Sequence, residues 1–331
     1  MVNWMDYYAN CRLCPRACGI NRHAGPGRCK EGADLRIAFA GLHSGEEPPL
    51  SGNHGSGTIF ISGCNLGCPL CQNWQISGGG ISSGAEVSPG GQPLGRTVST
   101  EEFTAICLDL QERGAENINI VTGSHAAPAI ARGLEAAAAA GLHIPALWNS
   151  SGYDGIESLE LVAGCIGTWL PDLKTLDSSL AAQYFNAPDY PRAACRAIRW
   201  MLAESCDVII RHLILPGRLE STRSVLRWFA DNAAGRAGGA RLSLMSQYTP
   251  ITANIMGRVG PGRYVARQEY DTVIGWLKEF GIEDGFCQDF VTGSDWLPDF
   301  QRANPFSSGL SMPVWHYQDT PGEDLGLKCR Q

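Results

Sequence analysis

The chain is predicted to belong to the α/β class, as a partial (β/α)6 TIM-type barrel with a cysteine-rich metal module before it and an irregular C-terminal tail after it. Three observations predict this: six short apolar runs alternating with amphipathic stretches, an N-terminal segment dense in cysteine without apolar periodicity, and a last segment rich in Pro, Gly, Ser and Asp. A length of 331 residues suits one barrel of roughly 250 residues with extensions. The boundaries fall at 1–35 for the metal module, 36–290 for the barrel and 291–331 for the extension, which Trp296 and Trp315 should anchor.

The first barrel strand is expected over 58–62, a β-branched and aromatic run leading straight into Gly63 and Cys64. The clearest helix follows after a gap: Ser99, Thr100, Glu101 and Glu102 form a capping box, and Phe103, Ile106, Cys107 and Leu110 recur at helical spacing until Gly114. Further strands are expected over 118–121, 145–148, 166–170, 207–215 and 240–245. The helices between and after them are expected over 126–140, 155–163, 192–204, 221–234 and 268–280. Strictly alternating units require right-handed crossovers and hence parallel strands. The Gly, Ser and Pro-rich stretch 77–95 has no apolar period and reads as a disordered surface loop or a substrate-responsive lid.

With 44% hydrophobic and 18% charged residues, the composition is that of a soluble globular enzyme. A net charge of -7 and the lack of any Lys/Arg run exclude the electrostatic footprint of a nucleic-acid binder. Residues 1–10 have no apolar core, and no stretch of about 18 apolar residues occurs, so a cytoplasmic chain without a membrane span is expected. Thirteen cysteines without an export signal favour metal or cluster ligation over disulfides.

Cys64, Cys68 and Cys71 present three thiols in one short loop directly after a strand. Three thiolates at these spacings hold one corner of an iron-sulfur cube and leave a fourth iron open. A zinc knuckle completed by a distant ligand, or buried unpaired thiols, is the alternative. Cys11, Cys14, Cys18 and Cys29 supply four further thiols, enough to close a tetrahedral zinc site or to hold a second, auxiliary 4Fe-4S cluster, and their spacing does not separate the two. Cys107, Cys165, Cys195, Cys206, Cys287 and Cys329 are scattered and read mostly as reduced structural residues.

The Cys-x3-Cys-x2-Cys loop resembles that of the radical S-adenosylmethionine (SAM) superfamily. Gly45-Glu46-Glu47-Pro48-Pro49, Gly57-Thr58-Ile59-Phe60, Cys71-Gln72-Asn73-Trp74 and Ser246-Gln247-Tyr248-Thr249-Pro250 are similar to the subgroup related to pyruvate formate-lyase activating enzyme. The resemblance spans most of the chain. It implies a 4Fe-4S cluster whose open iron binds SAM, one-electron cleavage to a 5′-deoxyadenosyl radical, and hydrogen abstraction from a substrate. It also implies an electron donor such as flavodoxin or ferredoxin.

The same resemblance implies SAM contacts at the strand ends. Leu70 stands where many relatives carry an aromatic residue and gives the adenine an apolar neighbour, with Asn73 close by. Thr122, Gly123 and Ser124 stand where relatives receive the SAM amino group; Asn149 and Ser150 match the ribose segment. Asp172 and Lys174 match an Asp-x-Lys element near the methionine moiety, with Lys174 on a carboxylate and Asp172 on an ammonium.

Two assignments come from the strands themselves. Arg211 lies inside an apolar run and requires a carboxylate, of SAM or of substrate, whereas His212 on the opposite face reads equally as a core histidine. Gln247, with Ser246 and Tyr248, would reach SAM or substrate or else cap the core. A protein or peptide substrate of the glycyl-radical-enzyme type is the leading expectation; a small-molecule substrate, or a non-catalytic iron-sulfur protein on the same fold, is the alternative.

Overall fold

A computed structural model of the chain describes residues 3–78, 92–235, 239–251, 260–294, 297–307 and 309–319. Ten strands form its sheet: β1 (Arg36–His43), β2 (Ser56–Ile61), β3 (Arg96–Thr97), β4 (Ile118–Val121), β5 (Ala146–Ser150), β6 (Ile166–Pro171), β7 (Asp207–Leu213), β8 (Arg241–Met245), β9 (Gly285–Cys287) and β10 (Ser311–His316). Their spatial order is β10-β1-β2-β4-β5-β6-β7-β8-β9, with β3 paired to β1. Every pair from β2 to β9 is parallel, and β1 is antiparallel to β2, β3 and β10. The sheet is therefore open, a partial barrel, and the six expected strands are its parallel centre.

Two one-turn helices, α1 (Pro48–Ser51) and α2 (Trp74–Ser77), precede the regular ones. These are α3 (Thr100–Glu112), α4 (Ala127–Ala139), α5 (Ile156–Val162), α6 (Ser178–Phe185), α7 (Tyr190–Met201), α8 (Leu219–Asn232) and α9 (Arg267–Glu279). The eight-residue helix α6 was not expected; its signal is Asp177, whose side chain accepts the backbone N–H groups of Ser179 and Leu180. Strands β1, β3, β9 and β10 were also not expected. Within the tail read as irregular, β10 adds to β1 and buries Trp315, which is 2% exposed. Trp296, Cys329 and most of the 77–95 stretch lie outside the described residues.

Period-two alternation decides what each strand shows to the barrel interior. Trp148 and Trp169 pack outward into the main core with the helices, while their neighbours Leu147 and Leu170 join Ile209 and Leu50 in a separate plug inside the barrel. Continuing the alternation brings Asn149, Asp172, Arg211 and Leu213 to the interior above that plug. The plug closes the floor, and polar groups are left at the strand ends.

Half of the capping box at α3 forms. Ser99 Oγ accepts the Glu102 N–H at 3.2 Å, but the Glu102 carboxylate turns instead to Arg96 at 2.6 Å and to Trp315 Nε1 at 3.2 Å. Ser99→Ala should cost about 1 kcal/mol, read as a lower urea midpoint at unchanged slope. Among the described residues, no helix is long and apolar enough to cross a membrane.

Candidate functional site

A cavity of about 720 Å³ opens at the C-terminal ends of the parallel strands, the size of a single-ligand pocket. Cys64, Cys68 and Cys71 line it together with Leu70, Asn73, Thr122, Asn149, Ser150, Asp172, Lys174, Arg211 and Gln247. The loop after β2 reaches this position through Gly63, whose φ of +83° suits glycine; a Cβ there would sit 2.8 Å from the Cys29 carbonyl oxygen and against Glu31.

The donor set fits an iron-sulfur cube. Cys64 Sγ accepts the Leu66 N–H at 3.4 Å, and Ser77 Oγ donates to Cys71 Sγ at 3.5 Å, bonds that favour thiolate charge. Burial pushes the Cys64 and Cys68 thiols up, and the nearby Lys174 cation opposes that rise. Among the described residues no three His, Cys, Asp or Glu side chains are placed to hold a single metal ion. A cube takes each thiolate on a separate iron and does not need that convergence.

The expected SAM contacts divide. Thr122 faces the cavity in a left-handed backbone conformation, φ +65°, with its N–H on the Asn149 carbonyl at 2.9 Å. Gly123 and Ser124 are not in the cavity wall. A Cβ on Gly123 would meet the Trp148 ring at 2.7 Å, and Ser124 Oγ donates to Asp154 at 2.6 Å. Ser150 also gives its hydroxyl to Asp154, at 2.6 Å, and Trp148 Nε1 donates at 3.3 Å. Asp154, buried and missed by sequence reasoning, gathers two of the predicted strand ends from behind; burial raises its carboxyl above the usual range despite these bonds. Asp172 and Lys174 pair with each other in the cavity wall, and Lys174 lies 5.8 Å from the Phe185 ring centre.

Arg211 departs most from expectation. Its carboxylate partners belong to the chain itself: Nε and Nη2 hold Glu47 at 2.7 and 2.6 Å, and Nη2 also bonds Glu46. Asn119 Nδ2 donates to Glu46 at 2.9 Å. Glu46 and Glu47 were noted only as part of a motif; the buried arginine on β7 was the available signal that two acids must meet it. One cation faces two carboxylates here, so the cluster carries spare acceptor capacity toward the cavity, beside His43, which burial keeps below its usual pKa.

Gln247 lies in the cavity wall, where its Oε1 accepts from Gln288 at 2.7 Å and its carbonyl from Gln72 at 3.4 Å. Tyr248 and Ser246 cap the structure, donating to the carbonyls of Pro261 and Asp289. His212 is a satisfied core histidine between the Leu173 carbonyl at 2.7 Å and Thr222 at 3.0 Å, with burial lowering its pKa to about 4. Cys287, read as structural, lines the cavity from β9.

Three loop thiols at the mouth of a partial barrel define a barrel protein equipped to hold an iron-sulfur cluster. The radical SAM superfamily model matches residues 58–229, just over half of the chain. The chain belongs to the radical SAM superfamily, which implies a 4Fe-4S cluster and SAM.

An uncharacterized protein of Methanocaldococcus jannaschii is 28% identical over 246 residues, covering 74% of this chain and 68% of the relative. Crystal structures of Streptococcus suis SuiB, one bound to precursor peptide SuiA and one to S-adenosylmethionine, superpose at TM-scores of 0.48 with 14% identity over 71% of this chain. The chain spans about half the length of these SuiB chains, 47% and 49%. A domain of pyruvate-formate lyase-activating enzyme from Bacteroides vulgatus gives a TM-score of 0.34 at 14% identity, over 47% of this chain and 86% of that one.

Proposed function

We propose that the chain cleaves SAM reductively and abstracts a hydrogen atom from a peptide or protein segment, in the manner of the activating-enzyme subgroup its motifs resemble. When bound, the 4Fe-4S cluster supplies one electron to SAM; a flavodoxin or ferredoxin type donor would replenish it. Cys64, Cys68 and Cys71 would hold the cluster by three of its irons, and the fourth would be left for SAM. Lys174 and Asp172 offer a cation and an anion, which match the two ends of a zwitterionic amino acid moiety. Leu70 provides apolar surface, and Thr122, Asn149 and Ser150 provide hydrogen-bonding groups along the strand ends.

The observation that carries the peptide reading is β9. Gly285, Phe286 and Cys287 line the cavity, and among the described residues β9 pairs only with β8, which leaves its outer backbone groups open to an added strand. The acceptor-rich Glu46, Glu47 and Arg211 cluster suits the N–H groups of such a segment. A small-molecule substrate is the second reading, favoured by the limited cavity volume of about 720 Å³.

The test is anaerobic turnover of the reduced, reconstituted chain with SAM and an extract of its host, split into macromolecular and small-molecule fractions. Stimulation of 5′-deoxyadenosine formation by the macromolecular fraction, with a radical or mass change on a protein, is expected. Stimulation by the small-molecule fraction alone overturns the peptide reading.

A further inference from the structure

The described residues before β1 contain one regular element, a 3-10 turn over Trp4–Tyr8, and their own apolar cluster has only Tyr8, Cys11, Leu13 and Ala33 buried. The segment docks on the barrel through Arg16, which donates to the Asn65 and Leu66 carbonyls, and through Leu13, whose carbonyl accepts from Ser158. A core this small is typical of a segment completed by a covalent or metal staple. Cys11, Cys14, Cys18 and Cys29 are all free thiols, so no disulfide supplies one. They share one neighbourhood: the site where a Cβ on Gly27 would sit is 3.2 Å from Cys29 Sγ and 3.8 Å from Cys18 Sγ, and Cys14 feels the charge of the other three.

A buried cation beside them lacks a carboxylate. Arg22 is 2% exposed, donates to the carbonyls of Glu31, Gly32 and His125, and places Nη1 3.8 Å from Cys11 Sγ. No carboxylate forms an ion pair with it among the described residues, because the nearby Glu31 side chain is held by Arg36 at 2.9 Å. The guanidinium is held by those three carbonyls and by the Tyr8 ring, whose centre lies 4.7 Å away, and thiolates bound to a metal would add the anion that neutral thiols do not.

The geometry points to a second iron-sulfur cluster held by Cys11, Cys14, Cys18 and Cys29, seated directly against the loop that carries Cys64, Cys68 and Cys71. Four thiolates can close a tetrahedral zinc site or hold a cube, and what favours the cube is the redox loop packed against these cysteines. The two sites touch: the Cys64 N–H donates to the Cys29 carbonyl at 3.2 Å. With four thiolate ligands the N-terminal cluster has no open iron for SAM, so it is chemically distinct from its neighbour. This inference does not rest on the peptide reading.

The test uses the full chain purified anaerobically, as wild type and as a Cys64→Ala/Cys68→Ala/Cys71→Ala variant that empties the loop. The variant should keep about four iron and four sulfide per chain, roughly half the wild-type content. Its reduced electron paramagnetic resonance signal should be unchanged by SAM, whereas wild type should show an additional SAM-sensitive signal. Adding Cys14→Ser and Cys18→Ser should remove the remaining iron. One zinc per chain with no iron in the loop variant, or no metal while circular dichroism shows a folded chain, overturns the assignment. If the loop variant does not fold, wild type carrying only about four iron overturns it as well.

Discussion

Replacing Cys71 with alanine should lower SAM-dependent 5′-deoxyadenosine formation by about a thousand-fold or more, equivalent to about 4 kcal/mol of lost barrier reduction. The thiol is one of three that the loop after β2 brings to the cavity wall, and the fourth thiol of that wall, Cys287, belongs to β9 and not to the loop. Cys107→Ala is the matched control. Cys107 is fully buried on α3, away from the cavity, so its loss should leave turnover near wild type and cost only packing. Equal losses of activity in both variants at matched folded fraction would contradict the cluster assignment.

The second large effect concerns stability. Arg211→Ala should cost about 3–5 kcal/mol, because it leaves Glu46 and Glu47 buried and facing each other without their cation. Burial pushes the Glu47 carboxyl up, but the charge and hydrogen bonds of Arg211 outweigh it and hold the group below its usual range. The stability this pairing contributes is therefore complete above the unfolded carboxylate pKa of about 4.3 and is lost as pH falls through the lower folded value. Urea unfolding across pH should show the wild-type advantage over Arg211→Ala at full size near neutrality and shrinking below about pH 4. A gap that stays constant with pH would show that lost packing, not the ion pairs, sets the cost.

Much of the barrel was legible because its signals are local. The apolar runs that became β2, β4, β5, β6, β7 and β8 carry their own pattern, and Cys64, Cys68 and Cys71 lie so close in sequence that folding hardly changes their proximity. What failed to show is what distant residues do to one another. Arg211 announced the need for an anion, yet that Glu46 and Glu47 meet it depends on β1 lying beside the parallel strands. Ser124 and Gly123 follow a strand as SAM contacts would, but Trp148 and Asp154, both from the next unit, draw them into the core. Strand β9 is three residues long and β10 contains Pro313, so neither gave a strand signal; each exists because a neighbour offers it an edge.

That last strand bears on how the protein is made. Phe39 pairs with His316, so β1 leaves the ribosome long before its outer partner does. Until then β1, beyond the two residues that β3 covers, displays the bare edge of an apolar strand, a template for association with other nascent chains. Premature termination before Ser311 would thus yield a chain that retains every cysteine of the cluster loop but exposes a sticky border. Expression yield, more than cofactor affinity, is where such a truncation would be felt.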